Sequence, residues 1–244
     1  MRSGRCTRAA AIVFALTIVA APAHAQSPDT VPTFGELFTH TLRDFRYLPS
    51  TGNLELLAIG GAAALATHTA DSETSRLLSE SRTLHGPLEA GALLGGTPFE
   101  LGAAFATYGI GRAYGNRRIA NAGADLVQAQ LIAEVLTMAV KQATRRARPE
   151  GSGFSFPSGH TTAAFASATV LRQHFGWKIG LPAYVVAAYV GASRIHDRRH
   201  YLSDVAFGAA LGTVAGRTVM VGRRHRMTLG VAAARGRGAV VVGM

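Results

Sequence analysis

Cysteine is almost missing from this chain: Cys6 is the only one in 244 residues. One thiol cannot close a disulfide within the chain, so a disulfide-held scaffold is excluded. Lysine is nearly as scarce, with Lys141 and Lys178 the only two among 25 basic residues. With Glu and Lys so few, a coiled coil is excluded, and the 28 glycines follow no period of three, which excludes a collagen-like chain. Charged residues make up only 16% against 48% hydrophobic, too apolar for a disordered chain. Long uncharged apolar runs are also lacking. A membrane span needs about 20 mostly apolar residues. Beyond the N-terminus the best stretch is Leu56 to Ala70, 15 uncharged residues that include His68. Other candidates are cut by Glu89, Glu100, Glu134 or Arg172. A compact soluble bundle is therefore expected. No internal repeat or low-complexity tract is present.

What the chain does have is positive charge, +11 at pH 7. That excess suits nucleic acid, an anionic membrane surface or a small anionic ligand, and the placement of the basic residues decides between them. The first residues read as an export signal. Arg2, Arg5 and Arg8 form a positive region, Ala9 to Ala21 an apolar run, and Ala23-His24-Ala25 a small-x-small cleavage site before Gln26. An uncleaved anchor is the alternative. Cleavage would remove Cys6 and leave 22 basic and 14 acidic residues, net +8. An exported chain is a poor candidate for binding a genome.

Past a polar segment punctuated by Pro28, Pro32 and Pro49, the patterning is helical throughout. An amphipathic helix is expected around Thr33–Phe45, with Phe34, Leu37 and Leu42 on one face. Leu54–Ala70 is Ala-rich and helical, and Gly86–Tyr114 reads as two helical pieces broken at Gly95-Gly96 and Pro98. Ile119–Val140 is the clearest helix. Val127, Leu131, Val135 and Met138 recur at helical spacing with Asp125, Gln128 and Glu134 between them. Glu150–Pro157 is a Gly/Ser/Pro loop, and Thr161–Phe175, Leu181–Ala192 and Ser203–Val221 are three more helices. Met227–Ala234 and Ala239–Met244, around Arg235-Gly236-Arg237-Gly238, form either two short strands or a tail. The expected class is all-α: a compact bundle of about six to eight helices, with that C-terminal hairpin as an option. The expected divisions are a signal peptide over 1–25, a polar segment over 26–52, a helical core over 53–222 and a basic linker with hairpin or tail over 223–244.

Three short segments concentrate the charged and reactive groups. Lys141 to Pro149 ends the clearest helix and carries Arg145, Arg146 and Arg148. A solvated helix C-terminus, where the helix dipole favours cations, explains such a cluster alone. A lysine in an arginine-rich chain marks a position suited to a compact ammonium. Phe156-Pro157-Ser158-Gly159-His160-Thr161 opens a helix. Ser158 suits the N-cap, and the N–H groups from Gly159 onward make an anion site with His160 at its edge. Ser193 to Asp204 places His200 four residues before Asp204, which on one helical face would fix the ring and stabilise its cationic form. His196, His200 and Asp204 also have a metal-like spacing, but further ligands are lacking and the nearby arginines repel a cation. Together the segments form a phosphate-handling set that requires no metal.

These residues resemble the type 2 phosphatidic acid phosphatase superfamily, which includes bacterial non-specific acid phosphatases and vanadium haloperoxidases. Its signature is Lys, six residues, Arg-Pro; then Pro-Ser-Gly-His; then Ser-Arg, five residues, His, three residues, Asp. This chain carries Lys141 with Arg148-Pro149, Pro157-Ser158-Gly159-His160, and Ser193-Arg194 with His200 and Asp204. Only seven residues, Glu150 to Phe156, separate the first two motifs, fewer than is usual, which bears on substrate choice.

The resemblance implies an all-helical core and metal-free phosphate ester hydrolysis. By it, His200 attacks phosphorus to form a phosphohistidine and Asp204 orients it. His160 protonates the leaving alcohol and then activates water. Lys141, Arg148 and Arg194 hold the phosphoryl oxygens, helped by Ser158 and the Gly159 N–H. No cofactor is implied, vanadate entering only for a haloperoxidase, which the short chain disfavours. Membrane members have six spans, three of them before the first motif, and an extracytoplasmic site. Three crossings from an exported or anchored N-terminus would put Lys141 in the cytosol, so parity favours a fully exported enzyme. The expected protein is thus a periplasmic or secreted phosphatase of phosphate monoesters, lipid phosphates among them, with membrane-surface association allowed. The alternatives are an integral inner-membrane lipid phosphate phosphatase with an extracytoplasmic site, a haloperoxidase, and a non-catalytic binder of lipid headgroups or nucleic acid. For nucleic acid no aromatic-interleaved basic stripe is present. His196 is given no role, and the sequence does not fix the oligomeric state.

Overall fold

The computed structural model describes residues 30–234. Residues 1–29 and 235–244 lie outside that range, and with them the expected signal peptide and the second C-terminal strand. Among the described residues the regular structure is helical. Six long helices, α2 (Thr51–His68), α6 (Thr97–Ala113), α7 (Arg117–Thr144), α8 (Gly159–Phe175), α9 (Trp177–His196) and α10 (Leu202–Ala234), form the bundle. Four shorter ones accompany them: α1 (Phe34–Asp44), α3 (Asp71–Ser79), α4 (Arg82–Glu89) and α5 (Gly91–Leu94). α10 packs along α8 and α2, α7 lies between α6 and α8, and α8 also packs on α9.

Each turn between long helices has a local cause. Asn116 caps α7, its side chain accepting the Ile119 N–H at 3.1 Å. At the other end Arg145 takes a left-handed conformation (φ 46°), which stops α7 and turns the chain across the end of the bundle. Helix α10 runs on through Met227–Ala234, so the first of the two expected strands is helix instead. Its closing Val-Ala-Ala-Ala favours helix over strand. The insertion between α2 and α6 holds α3, which the patterning had not shown, and Gly86–Tyr114 is three pieces rather than two.

The packing is built from small residues. Ala120, Ala124, Ala129, Ala166 and Ala215 are fully buried. A Cβ on Gly123 would strike the main chain of Tyr108, and one on Gly212 the carbonyl of Thr162. Glycine at these two points lets α6 meet α7, and α8 meet α10, backbone to backbone. Polar residues share the interior: Asn121, Asp125 and Gln128 of α7 are buried. The large apolar side chains point outward instead. Val135 is 54% exposed and Met138 51%, with Ile59, Leu65, Ile110, Val185 and Val186 exposed on other helices. The inward stripe expected on α7 is therefore overturned at Val135 and Met138, while Leu131 packs on the core, and of the three apolar residues expected on one face of α1 only Leu37 is buried while Phe34 and Leu42 face out. Helix α7 and residues Leu202–Thr228 of α10 are long and apolar enough to cross a membrane, against the expectation that none is.

Candidate active site

The three motifs meet at one end of the bundle, where α7 and α9 finish and α8 and α10 begin. Between α7 and α8 the chain loops over this end, and an isolated bridge between Ala147 and Phe154 closes the loop. Lys141 comes from the last turn of α7, and its Nζ donates to the carbonyls of Phe154 (2.9 Å) and Ser155 (3.5 Å). Arg148 sits within the loop; its Nε donates to the Phe154 carbonyl at 3.4 Å, and it pairs with Glu150 at 3.7 Å. The two cations bracket one turn and leave further N–H groups for another anion.

Ser158 is the N-cap residue of α8, with its own N–H donated to the Asp204 carbonyl at 3.0 Å. That bond seats the start of α8 on the start of α10. The Ser158 hydroxyl accepts from Thr161 Oγ1 at 2.9 Å. Gly159 and His160 open α8, so the positive end of that helix faces the motif residues. Arg194, near the end of α9, is buried and paired with Asp197. His160 lies close enough to Arg194, Arg148 and His200 to feel the charge of each.

His200 follows α9 in a short turn and is buried. Its Nδ1 lies 2.7 Å from the Ser155 carbonyl, which can only accept, so Nδ1 carries the hydrogen and Nε2 keeps its lone pair. Asp204 Oδ2 stands 3.7 Å from the same nitrogen, beyond a good hydrogen bond but near enough to act by charge. The Asp204 carboxylate is held in place by the Ser155 hydroxyl, the Tyr201 N–H (2.7 Å) and Arg146 Nη1 (2.8 Å). Burial lowers the His200 pKa below the ordinary histidine value. Asp204 opposes that drop, while Lys141 and Arg148 add to it. A buried, mostly neutral imidazole with a fixed hydrogen on Nδ1 is a nucleophile in waiting.

All eight residues singled out from the sequence (Lys141, Arg148, Ser158, Gly159, His160, Arg194, His200 and Asp204) therefore lie at this one end. Ser155, Arg146, Ser203 and Asp71 belong to the same neighbourhood and were not singled out. Ser155 acts through its carbonyl, for which no side-chain pattern exists, and Asp71 arrives from a distant helix. His196 is buried beside the site, with Nδ1 3.1 Å from Asp197 Oδ1 and its ring 5.6 Å from that of His85. Among the described residues no group of three or more His, Cys, Asp or Glu is placed to hold a metal ion.

Known proteins share these features. Residues 141–227 match the PAP2 superfamily. The lipid A 1-phosphatase of Porphyromonas gingivalis is 39% identical over 98 residues, which are 35% of this chain and 22% of that protein. The decaprenylphosphoryl-5-phosphoribose phosphatase of Mycobacterium tuberculosis is 36% identical over 111 residues, 41% of this chain and 58% of that protein. The chain thus spans well under two thirds of the length of either relative. Two solved structures share the arrangement of helices. A transmembrane PAP2-type phosphatidylglycerolphosphate phosphatase from Bacillus subtilis has a TM-score of 0.61 at 23% identity, covering 71% of this chain and 96% of that one. LpxE from Aquifex aeolicus has a TM-score of 0.52 at 24% identity, covering 62% and 94%.

Proposed function

From a chain whose residues 141–227 are a PAP2 superfamily domain, we propose a membrane-embedded phosphatase of lipid phosphate monoesters that works through a phosphohistidine on His200. The observation that carries the chemistry is the hydrogen-bonded His200: the Ser155 carbonyl holds Nδ1, which leaves Nε2 free on a ring that Lys141 and Arg148 act on, with His160 of α8 and its neighbour Arg194 at the same end. The reaction follows from that geometry. Nε2 attacks phosphorus in line with the ester oxygen, and the P–N bond forms as the P–O bond breaks. Negative charge is spread over the three phosphoryl oxygens, where the fixed cations and N–H groups meet it. His160 gives its proton to the departing alkoxide. It then takes one from water, which attacks phosphorus and returns His200 with inorganic phosphate. The ring bears positive charge while phosphorylated, and the Asp204 carboxylate offsets it.

The membrane assignment replaces the expected soluble, exported enzyme. It is supported by the outward apolar residues over an interior of Ala, Gly and buried polar groups, which is how helices pack in lipid. The transmembrane phosphatase of like fold supports it too. Three long helices precede the site: α7, long and apolar enough to cross, and the shorter α2 and α6, which would complete three crossings. Arg117, Arg118, Lys178 and Arg224 lie at the far end from the site, and a cytosolic far end would leave His200 outside. A cleaved export signal at residues 1–25 would invert this topology, so the two readings exclude each other.

One preparation tests the proposal. Full-length protein in detergent micelles should release phosphate from phosphatidic acid, with rates unchanged by a chelator. No release, or release abolished by chelation, overturns it. Ser152→Cys, in the loop between α7 and α8 and in a Cys6→Ser background, should react with a membrane-impermeant maleimide added outside intact cells; labelling only after lysis overturns the topology.

A further inference from the structure

Behind Asp204 lies a second layer that the three motifs do not include. Arg146 stands two residues before the motif arginine, just past the left-handed Arg145 that turns the chain over this end of the bundle. Its Nη1 donates to Asp204 Oδ1 at 2.8 Å and to Ser203 Oγ at 2.7 Å. Its Nη2 donates to Asp71 Oδ2 at 2.7 Å. The guanidinium lies over the Tyr201 ring, 4.2 Å from its centre, so its plane is fixed as well as its ends.

Asp71 is the first residue of α3 and belongs to the insertion that follows α2. It is nearly as buried as Asp204, and every partner it has is part of this node. Oδ1 accepts the Ser203 N–H at 2.8 Å, and Oδ2 accepts the Ser203 hydroxyl at 2.6 Å. His68 Nδ1, on the last turn of α2, lies 3.1 Å from Oδ2. One cation is thus shared between two buried carboxylates, and Ser203 donates to Asp71 while accepting from Arg146. Cutting either contact would leave an unpaired buried charge next to the nucleophile's partner.

We propose that Arg146 and Asp71 are positioning residues for the reaction at His200: together they fix where the Asp204 carboxylate sits and how much of its charge the His200 ring feels. The inference rests on the reading of His200 as nucleophile. Asp204 makes no short bond to that ring, so its action is mainly Coulombic and depends on distance and on neighbouring charge. Arg146 draws off part of the Asp204 charge, and Asp71 draws off part of the Arg146 charge. The pair tunes His200 without touching it.

Opposite substitutions should then have opposite electrostatic effects. The other charged groups acting on His200 are Lys141 from α7, Arg148 from the loop, His160 from α8 and Asp204 from α10, with Arg194 from α9 acting on His160, and neither substitution removes any of them. Asp71→Asn removes an anion, so the acid limb of the kcat/KM profile should move to lower pH by roughly half a unit. Arg146→Gln removes a cation, so the limb should move up by a similar amount. Both variants should lose about 10- to 100-fold in kcat with KM changed less than about threefold, since the phosphate-holding groups are intact. Arg146→Lys keeps the charge without the fork, so its limb should stay put while kcat recovers part of the loss. His68 Nδ1 touches Asp71, and repeating the series in a His68→Asn background removes any contribution of that ring.

Limbs that move the same way in both variants, or do not move, overturn the proposal. So does an unchanged kcat, or a loss that merely tracks the amount of folded protein. Should Asp71→Asn fail to accumulate, Arg146→Lys against Arg146→Gln still decides the matter. Wild-type turnover with a dead His200→Ala secures the parent reading separately, so a failure here falls on the positioning roles alone.

Discussion

Two histidine–aspartate–arginine groups, each built on a buried carboxylate, occupy opposite ends of the same helices. At the motif end stand His200, Asp204 and Arg146. At the other end His174 Nε2 lies 2.7 Å from Asp125 Oδ2, and Arg223 Nη1 donates to the same oxygen at 3.0 Å. By residue type the two are nearly identical, yet only one is arranged to handle phosphate. The first difference is polarity. Helix α8 starts at the motif end and stops beside His174, so an anion meets the positive pole at one end and the negative pole at the other. The second is how charges are matched. At the far end Asp125 takes both His174 and Arg223, and Arg226 pairs with Asp44, so cations and carboxylates close on each other. At the motif end Arg146, Arg148 and Arg194 also have carboxylate partners, but Lys141 has only carbonyl ones, which leaves its charge open to a ligand. The third is the ring itself. His174 spends Nε2 on a carboxylate, whereas His200 spends Nδ1 on a carbonyl and keeps Nε2.

That comparison is broken most directly by removing each histidine. His200→Ala should lower kcat by about four orders of magnitude or more, because the proposed covalent intermediate forms on that ring. His174→Ala should leave kcat per folded molecule within about threefold, a barrier change of under about 1 kcal/mol, while lowering the melting temperature. Phosphate release and thermal unfolding on the same detergent samples check both. Comparable losses of turnover from the two substitutions would mean the ends are not functionally distinct.

The arginines give a smaller and more discriminating effect. Arg194→Met removes one donor to the transferring phosphoryl group and should cost about 10²- to 10³-fold in kcat/KM. Arg223→Met should instead destabilise the protein by roughly 3–5 kcal/mol, because Asp125 is left buried with only His174. Turnover normalised to folded protein should be near normal. Equal losses of normalised turnover would show that the far cluster feeds the site.

How far the sequence carried these conclusions depends on which kind of information each feature needs. The eight motif residues were legible because each motif is a short local run and its chemistry is written in side-chain types. The helical class was legible from periodicity. Misread were the faces of the helices. Placing Val135 and Met138 inward assumes water outside; here alanines and Gly123 fill the interior and the larger groups turn out. Asp125 and Gln128, expected outward by the same logic, are buried. Also hidden was everything that exists only after folding. Asp71 lies 133 positions before Asp204 in the chain, and nothing local marks it as a partner of Arg146. The Ser155 carbonyl carries no signature at all, since every residue has one.

The finest contrast between the ends is a matter of protons. His200 has a folded-state pKa below its ordinary value, mainly from burial. An unfolded chain would bind a proton there near pH 6.5 while the folded one would not. Stability contributed by the neutral ring is therefore present above that pH and lost as the pH falls through it, at no more than about 1.4 kcal/mol per unit. His200→Asn removes the titration. Its melting temperature should hold up better than that of the wild type between about pH 7 and about pH 5, so the two curves converge or cross on acidification. The same lowered pKa keeps the attacking nitrogen unprotonated, which places the acid limb of kcat/KM below pH 6.5. Parallel melting curves, together with an acid limb above that value, would mean that His200 titrates as an exposed histidine does, and the burial that separates it from the bulk solvent would have no consequence for the reaction.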